Sequence, residues 1–396
     1  MIDFDTAIDV IAKNIASIGV EMVSLELAAF RVLAQTVHAG VASPRRDVSA
    51  MDGFAVRDVD ADVGRPFEIV GQSHAGGVLP PAIGPHQTVR IFTGAALPKG
   101  ADRVIVQESC VFEANGSRMT ISKAYGPGKH IRRKASDFDE GAILLGAGTR
   151  LTARAMVTLA AADISSVAVY RQPQVALIAT GDELVAPGNA VHGQTKIPES
   201  ISFGLKAMIC QHGGVIMGKY CGEDSLEHLA SIATQAIGSA DLVVVTGGAS
   251  VGDRDFAKPM FEALGLELLF AKVAIKPGKP VWLGRAKGCW VLGLPGNPTS
   301  AMVTARLFLV PILGLLQGQQ VADVLDWQVL PSTGSFPAAD DRTTFSCAGW
   351  QGQGLAPVGS GDSGVQSTLA ASEWLVKQRA NSSMAGPGSQ VRAIRF

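Results

Sequence analysis

The sequence predicts a multidomain α/β protein: a doubly wound, mostly parallel sheet flanked by a helical N-terminal part, an inserted β domain and a C-terminal β domain. Three observations lead there. The 396 residues exceed one ordinary core and suggest two to four domains. From residue 173 short apolar runs alternate with amphipathic stretches, which implies parallel strands covered by helices on both faces. On either side of that block the composition changes, to Gly- and Pro-rich over 41–136 and to polar and strand-like beyond 320.

Residues 4–40 read as helix in two pieces, because apolar residues recur at helical spacing in Ile8, Ile11 and Ile15 and again in Leu25, Leu27, Phe30 and Leu33. Short β-type runs at 88–92 and 103–107 mark the stretch 41–136 as a small β domain. A helical pattern returns at 152–163 and is expected to pack on the N-terminal helices, making the β domain an insertion. In the α/β block, strands are expected at 175–179, 215–218, 242–245, 267–273 and 290–293. Helices are expected at 201–212, 225–237, 256–264 and 298–316. The helix at 225–237 gathers Leu226, Leu229, Ala233, Ala236 and Ile237 on one face. Beyond 320, a small barrel or sheet with one helical stretch near 365–371 completes the chain.

Composition limits the function. Lys+Arg 34 against Asp+Glu 35 leaves a net charge of −1, so no global field favours nucleic acid or an anionic membrane, and any anion must be gripped locally. The N-terminus carries no signal-peptide pattern, and the apolar run 307–316 is about half a bilayer span and holds Pro311, so no transmembrane helix is expected. Five scattered cysteines without CxxC fit reduced thiols in a cytoplasmic protein, and none of the seven histidines stands at a zinc-ligand spacing.

Four groups of loops carry chemistry. The loop 246–255, TGGASVGDRD, follows a buried strand and opens a helix; its glycines can turn backbone N–H groups toward an anion, or it is a tight turn with an Asp N-cap. Neither GxxxxGK[ST] nor GxGxxG is present. TGDEL (180–184) places Asp182 and Glu183 at a strand end, where they face a ligand or cap a helix. IKPGKP (275–280) sets Lys276 and Lys279 three apart on a stiff turn, and GLPGNP (293–298) closes a later strand; two solvated lysines are the plain alternative. SAMDGFAVR (49–57) and IFTGA (91–95) lie in the β domain, where Asp52-Gly53 alone reads as an ordinary turn. Together these loops bring Asp182, Glu183, Asp255, Lys276 and Lys279 to the ends of one sheet's strands. Two carboxylates within about 4 Å repel by roughly 4 kcal/mol at an effective dielectric near 20. A divalent cation with oxygen ligands relieves that conflict, and Mg2+ is the usual one beside phosphates, so a phosphate-and-metal site is inferred.

These segments resemble the MoeA/gephyrin-E family: SAMDGFAVR, IFTGA, TGDEL, VTGGASVGDRD (245–255), AIKPGKP (274–280) and GLPGNP occur in the family's order and spacing, over roughly 45–310. The resemblance implies an elongated helical domain (1–42 and 137–170), an inserted β domain (43–136), a MogA-like α/β domain (171–318) and a C-terminal β-barrel-like domain (319–396). It implies a cytoplasmic homodimer whose cleft lies between the MogA-like domain of one subunit and the β domain of the other, with a MogA-type enzyme as a partner. The implied reaction takes adenylylated molybdopterin and molybdate, requires Mg2+, releases AMP and leaves molybdenum on the dithiolene. Carried over by position, Asp52, Glu183, Asp224 and Asp255 hold cation and substrate, and Lys276 and Lys279 neutralise molybdate or phosphate. Thr93 and Arg133 contribute from the β domain. Gly247, Gly248 and Ser250 take the pterin phosphate, Pro295 and Pro298 flank the substrate, and Ser367 contributes from the C-terminal domain. No Ser-His-Asp or Cys-His arrangement asks for a nucleophile, so positioning and charge neutralisation are expected to dominate.

The chain departs from the family pattern in two places. The usual Tyr-Asp-Ser/Thr-Asn segment reads Ile197-Pro-Glu-Ser-Ile201, and the usual Asn before SAMDG is Val48. Ile and Val cannot replace the hydrogen bonds of an amide. A non-catalytic cofactor-binding or scaffold protein, and an enzyme inserting tungstate, are therefore the alternative readings.

Overall fold

The computed structural model describes residues 1–222, 225–247, 256–359 and 364–396. Helix α1 (Phe4–Asn14) is capped by Asp3, whose Oδ1 accepts from the Thr6 N–H at 2.9 Å. It does not pack on the helix at 152–163. Phe4 instead meets Phe345, Phe308 and Trp327 edge-on, at 5.1, 5.8 and 6.4 Å, and so ties the N-terminus to the α/β and C-terminal parts.

The second expected N-terminal helix is absent from this stretch. Residues Val20–Ser24 form strand β1, followed by a single 3-10 turn at Leu25–Leu27 and a left-handed Phe30 (φ 64°) that no helix could contain. The apolar residues of this stretch serve a different core: Ala28 and Leu33 are buried with Ala155 and Leu159 of a later helix. The part expected to be helical thus holds one helix of its own on strands and turns.

The inserted segment forms a six-stranded sheet: β2 (Gly53–Val56), β3 (Pro66–Ser73), β4 (Gln87–Ile91), β5 (Arg103–Val106), β6 (Cys110–Phe112) and β7 (Arg118–Ile121), in the spatial order β5-β2-β4-β3-β7-β6. Its alternation is clear in β2, where Phe54 and Val56 enter one core and Ala55 the other. The chain returns through α2 (Ala153–Ala161) to β8 (Ser166–Tyr170), which pairs antiparallel with β1.

The α/β part comprises β9 (Gln174–Thr180), α3 (Ile201–Gln211), β10 (Val215–Gly222), α4 (Leu226–Ser239), β11 (Leu242–Thr246), β12 (Glu267–Phe270), β13 (Trp282–Ala286) and β14 (Cys289–Leu294). The sheet order is β10-β9-β11-β14-β13-β12: the first four strands are parallel, β13 runs against them, and β12, antiparallel to β13, runs with the first four. Strand β13 was not expected; it forms a hairpin with β14 over Lys287-Gly288, both with positive φ (46° and 88°). The expected helix at 256–264 is a shorter 3-10 segment, Pro259–Leu264. Apolar residues alternate between the two faces: Val175, Leu177 and Val244 enter one core, Ala176, Ile178 and Val245 the other.

Helix α5 (Pro298–Leu316) is the one described helix long and apolar enough to cross a membrane, and 94% of its most apolar window is buried inside the protein. It widens to a π turn at Ala305–Leu309, just before Pro311, whose ring cannot coexist with a regular bond to the carbonyl four residues back. The C-terminal sheet holds β15 (Gln328–Pro331), β16 (Thr343–Gln351), β17 (Gly354–Pro357), β18 (Trp374–Gln378) and β19 (Gln390–Arg395). It also takes in the short strand Ile275–Lys276, which pairs with Thr343 and Thr344 of β16. Near 365–371 only one 3-10 turn forms, at Leu369–Ala371.

Candidate active site

From β9 the chain runs outward to β10 and then returns to β11 on the other side of β9, so the strand order reverses between β9 and β11. Ligands bind beyond the carboxyl ends of the strands at such a reversal. A cavity of about 620 Å³ lies there, lined by the residues that follow β9, β11 and β14. Three backbones meet at its floor. A Cβ on Gly247 (φ 89°) would lie 2.6 Å from the Thr180 carbonyl oxygen, and one on Gly296 would lie 3.4 Å from the Gly247 Cα. Only glycine fits at 247, for reasons of both space and conformation. Beneath them the Thr180 hydroxyl donates to the Thr246 carbonyl at 3.3 Å.

Glu183 is exposed and lines this cavity, its carboxylate folded over Gly181. Pro295 and Pro298 line it too, as do Ile197, Pro198, Glu199, Ser200 and Ile201, so the 197–201 departure falls in the cavity wall, whereas Val48 pairs with Arg132 and lines no part of it. Glu199 does not face a ligand alone. It is buried, its Oε1 accepts from the Ser202 N–H (2.8 Å), and its Oε2 accepts from the Ser202 hydroxyl (2.5 Å) and Lys219 Nζ (2.8 Å). Burial pushes its carboxyl up, but the Lys219 and Ser202 contacts outweigh that and hold it below the ordinary glutamate range. The carboxylate thus caps α3 and pins the wall. The signal available in the sequence is an acidic residue just ahead of the helix start, where it can accept from a first-turn N–H.

The C-terminal part closes one side. Gly364 and Gln366 line the cavity, Ser200 donates to Gln366 Oε1 at 3.2 Å, and Thr299 donates to the Val365 carbonyl at 2.7 Å. Ser367 is exposed and is not among the lining residues. Lys276 and Lys279 are both exposed on the turn before β13, whose Pro280 lines the cavity. Lys276 is also drawn toward the C-terminal part, with Nζ 3.5 Å from Asp340 Oδ2.

A second group of the expected residues stands elsewhere. Asp52, Thr93 and Arg133 line no part of the cavity. Asp52 Oδ1 accepts from both the Thr93 N–H (2.7 Å) and the Thr93 hydroxyl (2.8 Å), and these bonds, with a smaller contribution from Arg90, hold its carboxyl below the usual value. Arg133 donates to Asp47 Oδ2 at 2.6 Å, and the Lys134 N–H donates to Asp47 Oδ1 at 2.8 Å, so Arg133 serves the joint between two loops. Among the described residues, no three His, Cys, Asp or Glu side chains are gathered as a metal cluster, and Asp52 and Glu183 do not share one. Asp224, Gly248, Ser250 and Asp255 lie outside the described residues.

Comparison with known proteins places this arrangement. Residues 2–162 match the "MoeA N-terminal region (domain I and II)" and residues 176–314 the "Probable molybdopterin binding domain". The molybdopterin molybdenumtransferase of Haemophilus influenzae is 37% identical over 302 residues, covering 76% of this chain and 74% of that protein. That of Bacillus subtilis is also 37% identical, covering 74% and 70%. The chain belongs to the molybdopterin molybdenumtransferase family. It is therefore an enzyme of a family that works in molybdenum cofactor biosynthesis. Two structures of the molybdopterin biosynthesis MoeA protein from Pyrococcus horikoshii share the fold. The first has a TM-score of 0.80 at 29% identity, covering 99% of this chain and 98% of that one. The second has a TM-score of 0.84 at 24% identity, covering 100% of both. For this family member, the cavity at the β9/β11 reversal and the Asp52–Thr93 pair are two separate stations on one chain.

Proposed function

We propose that the enzyme transfers molybdenum from molybdate to adenylylated molybdopterin, cleaving the phosphoanhydride and releasing AMP. The observation that carries this reading is the cavity at the strand reversal, built from three strand-end loops with Glu183 at its edge. Its volume suits a pterin-sized ligand. Backbone N–H groups at the glycine-containing floor can take a phosphate, while Pro198, Ile201, Pro295 and Pro298 offer flat apolar walls to a ring system. Lys276 and Lys279 stand exposed at the same end of the domain and would neutralise the anion displaced in the reaction.

Mg2+ is commonly bound through one or two carboxylates together with substrate phosphates, not by a protein cage. An exposed Glu183 at the rim suits that mode, and Glu183 would hold an ion whose charge offsets the phosphates. Asp52 and Thr93 lie off the cavity, and this supports a homodimer in which the β domain of one subunit covers the cavity of the other. Exposed Met22, Leu27, Phe30 and Val157 supply apolar surface that a second copy would cover.

The test is a ligation assay with adenylylated molybdopterin, Mg2+ and molybdate, reading AMP and active cofactor. AMP release that depends on molybdate supports the reaction. Tight substrate binding without AMP release contradicts it and favours a carrier; release with tungstate but not molybdate changes the anion.

A further inference from the structure

Arg90 was not singled out by sequence, yet it stands apart from the cations around it. In the register of β2, β4 and β3, Phe54 sits opposite Arg90 and Arg90 opposite Gln72, so these three share one face, and Asp52, Phe92 and His74 stand just beyond the ends of the same strands. The Arg90 guanidinium carbon lies 5.3 Å from the Phe92 ring centre and 5.7 Å from that of Phe112. Phe92 in turn stacks on His74, with centroids 4.5 Å apart and planes 13° from parallel. Phe112 is 51% exposed, so this ladder opens to solvent.

Three other cations of the β domain are committed. Arg133 pairs with Asp47, Arg103 pairs with Asp58 and donates to the Gly126 and Gly128 carbonyls, and Lys129 pairs with Asp58 at 3.3 Å. Among the described residues, the Arg90 guanidinium has no hydrogen bond or ion pair. A guanidinium held by ring faces keeps its in-plane N–H edge for a planar or tetrahedral anion. Beside it, Asp52 Oδ1 takes both Thr93 donors while Oδ2 takes none among the described residues. A fixed fork of donors therefore stands next to an open acceptor, and little side-chain freedom is lost on binding.

We propose that Arg90 is a β-domain residue that binds the reacting oxyanion, on the side of the cleft where the resemblance implied a cationic contact from Arg133. The ligand is a tetrahedral dianion, either the phosphate of the nucleotide or molybdate. Phe92 and Phe112 are positioning residues that hold the guanidinium flat. The proposal rests on the reaction proposed above.

The experiment titrates AMP and, separately, molybdate into wild type, Arg90→Met and Arg90→Lys, with melting temperatures and molybdate-dependent AMP release measured alongside. Losing a charge-assisted bond should weaken one anion by about 10- to 100-fold in Arg90→Met at an unchanged melting temperature. Arg90→Lys should recover only part of that, because the ammonium lacks the fork. The anion that weakens identifies the source. Arg133→Met, as comparator, should lower the melting temperature and leave anion affinity near wild type. Should Arg90→Met not fold, Arg90→Lys decides alone by the same weakening. Wild-type affinity for both anions in the Arg90 variants, or a wild type that binds neither, overturns the proposal. Weakened binding in a protein whose wild type releases no AMP keeps Arg90 as an anion site and refutes the reaction. Normal turnover with unchanged Arg90 variants does the reverse.

Discussion

The cavity at the β9/β11 reversal and the charged face of the β domain are built on opposite principles. The cavity is mostly backbone: glycines and prolines bring three loops into contact, and its one described wall carboxylate besides Glu183, Glu199, is spent on Ser202 and Lys219. The β-domain face is mostly side chains: Arg90 is placed by strand register, Phe92 and His74 by stacking beside it, and Asp52 by the two Thr93 donors. The first arrangement suits a ring and its phosphate, the second a reacting anion. Backbone sites should be sensitive to shape, and the β face to charge.

The largest expected effect is at the floor. Gly247→Val puts a branched side chain onto the Thr180 carbonyl at a φ of 89°, so strain of at least about 1–3 kcal/mol should accompany loss of substrate binding. Thermal unfolding and ligand titration read both; a stable, binding variant would remove the backbone-cradle argument. Next is Glu199→Ala, which leaves the Ser202 N–H and Lys219 without their acceptor and should cost about 1–3 kcal/mol, with a weaker pterin affinity through the displaced wall. Asp52→Asn should behave differently, lowering turnover strongly with no change in melting temperature, because the group is fully exposed.

A smaller effect separates the regions by pH. His212, at the end of α3, is pushed down to about 4 by burial, with Arg306 and Arg150 adding to the shift. Below its unfolded value near 6.5 the unfolded chain takes up a proton that the folded chain refuses, so stability is complete above that pH and falls toward pH 4. In the β domain, Arg103 holds Asp58 below 3.8, an interaction that burial only partly offsets, so this contribution is lost only under stronger acid. Acid titration followed by hydrogen exchange should therefore loosen α3 before β2 and β5, and His212→Asn should remove the earlier phase.

The regions also differ in how far they could be read from sequence. Continuous apolar runs such as Leu242–Thr246 left little choice but buried parallel strands, and the loops after them followed. The run at 25–33 misled because its apolar spacing suits a helix as well as a strand and turn; the left-handed Phe30 decides it, and φ is not visible in composition. Strand β13 was missed although Lys287-Gly288 is a hairpin turn. Glu183, Gly247, Pro295 and Pro298, which the sequence places in strand-end loops, all line the cavity. The Glu199–Lys219 pair depends on β10 passing beside the wall, which no local pattern records. Arg133 is legible from the family's motifs, but its pairing with Asp47 is not; Arg90 becomes legible only through the strand register that sets it opposite Phe54.

In the proposed homodimer the two stations meet only between subunits, and co-expression of Asp52→Asn with Glu183→Gln tests that arrangement. Each variant alone should be inactive. Random mixing makes half the dimers mixed, each with one intact cleft, so molybdate-dependent AMP release should return to about a quarter of wild type. A mixture as inactive as its components, with mixed dimers demonstrated by differential tags, would show that both residues act within one chain and contradict the claim.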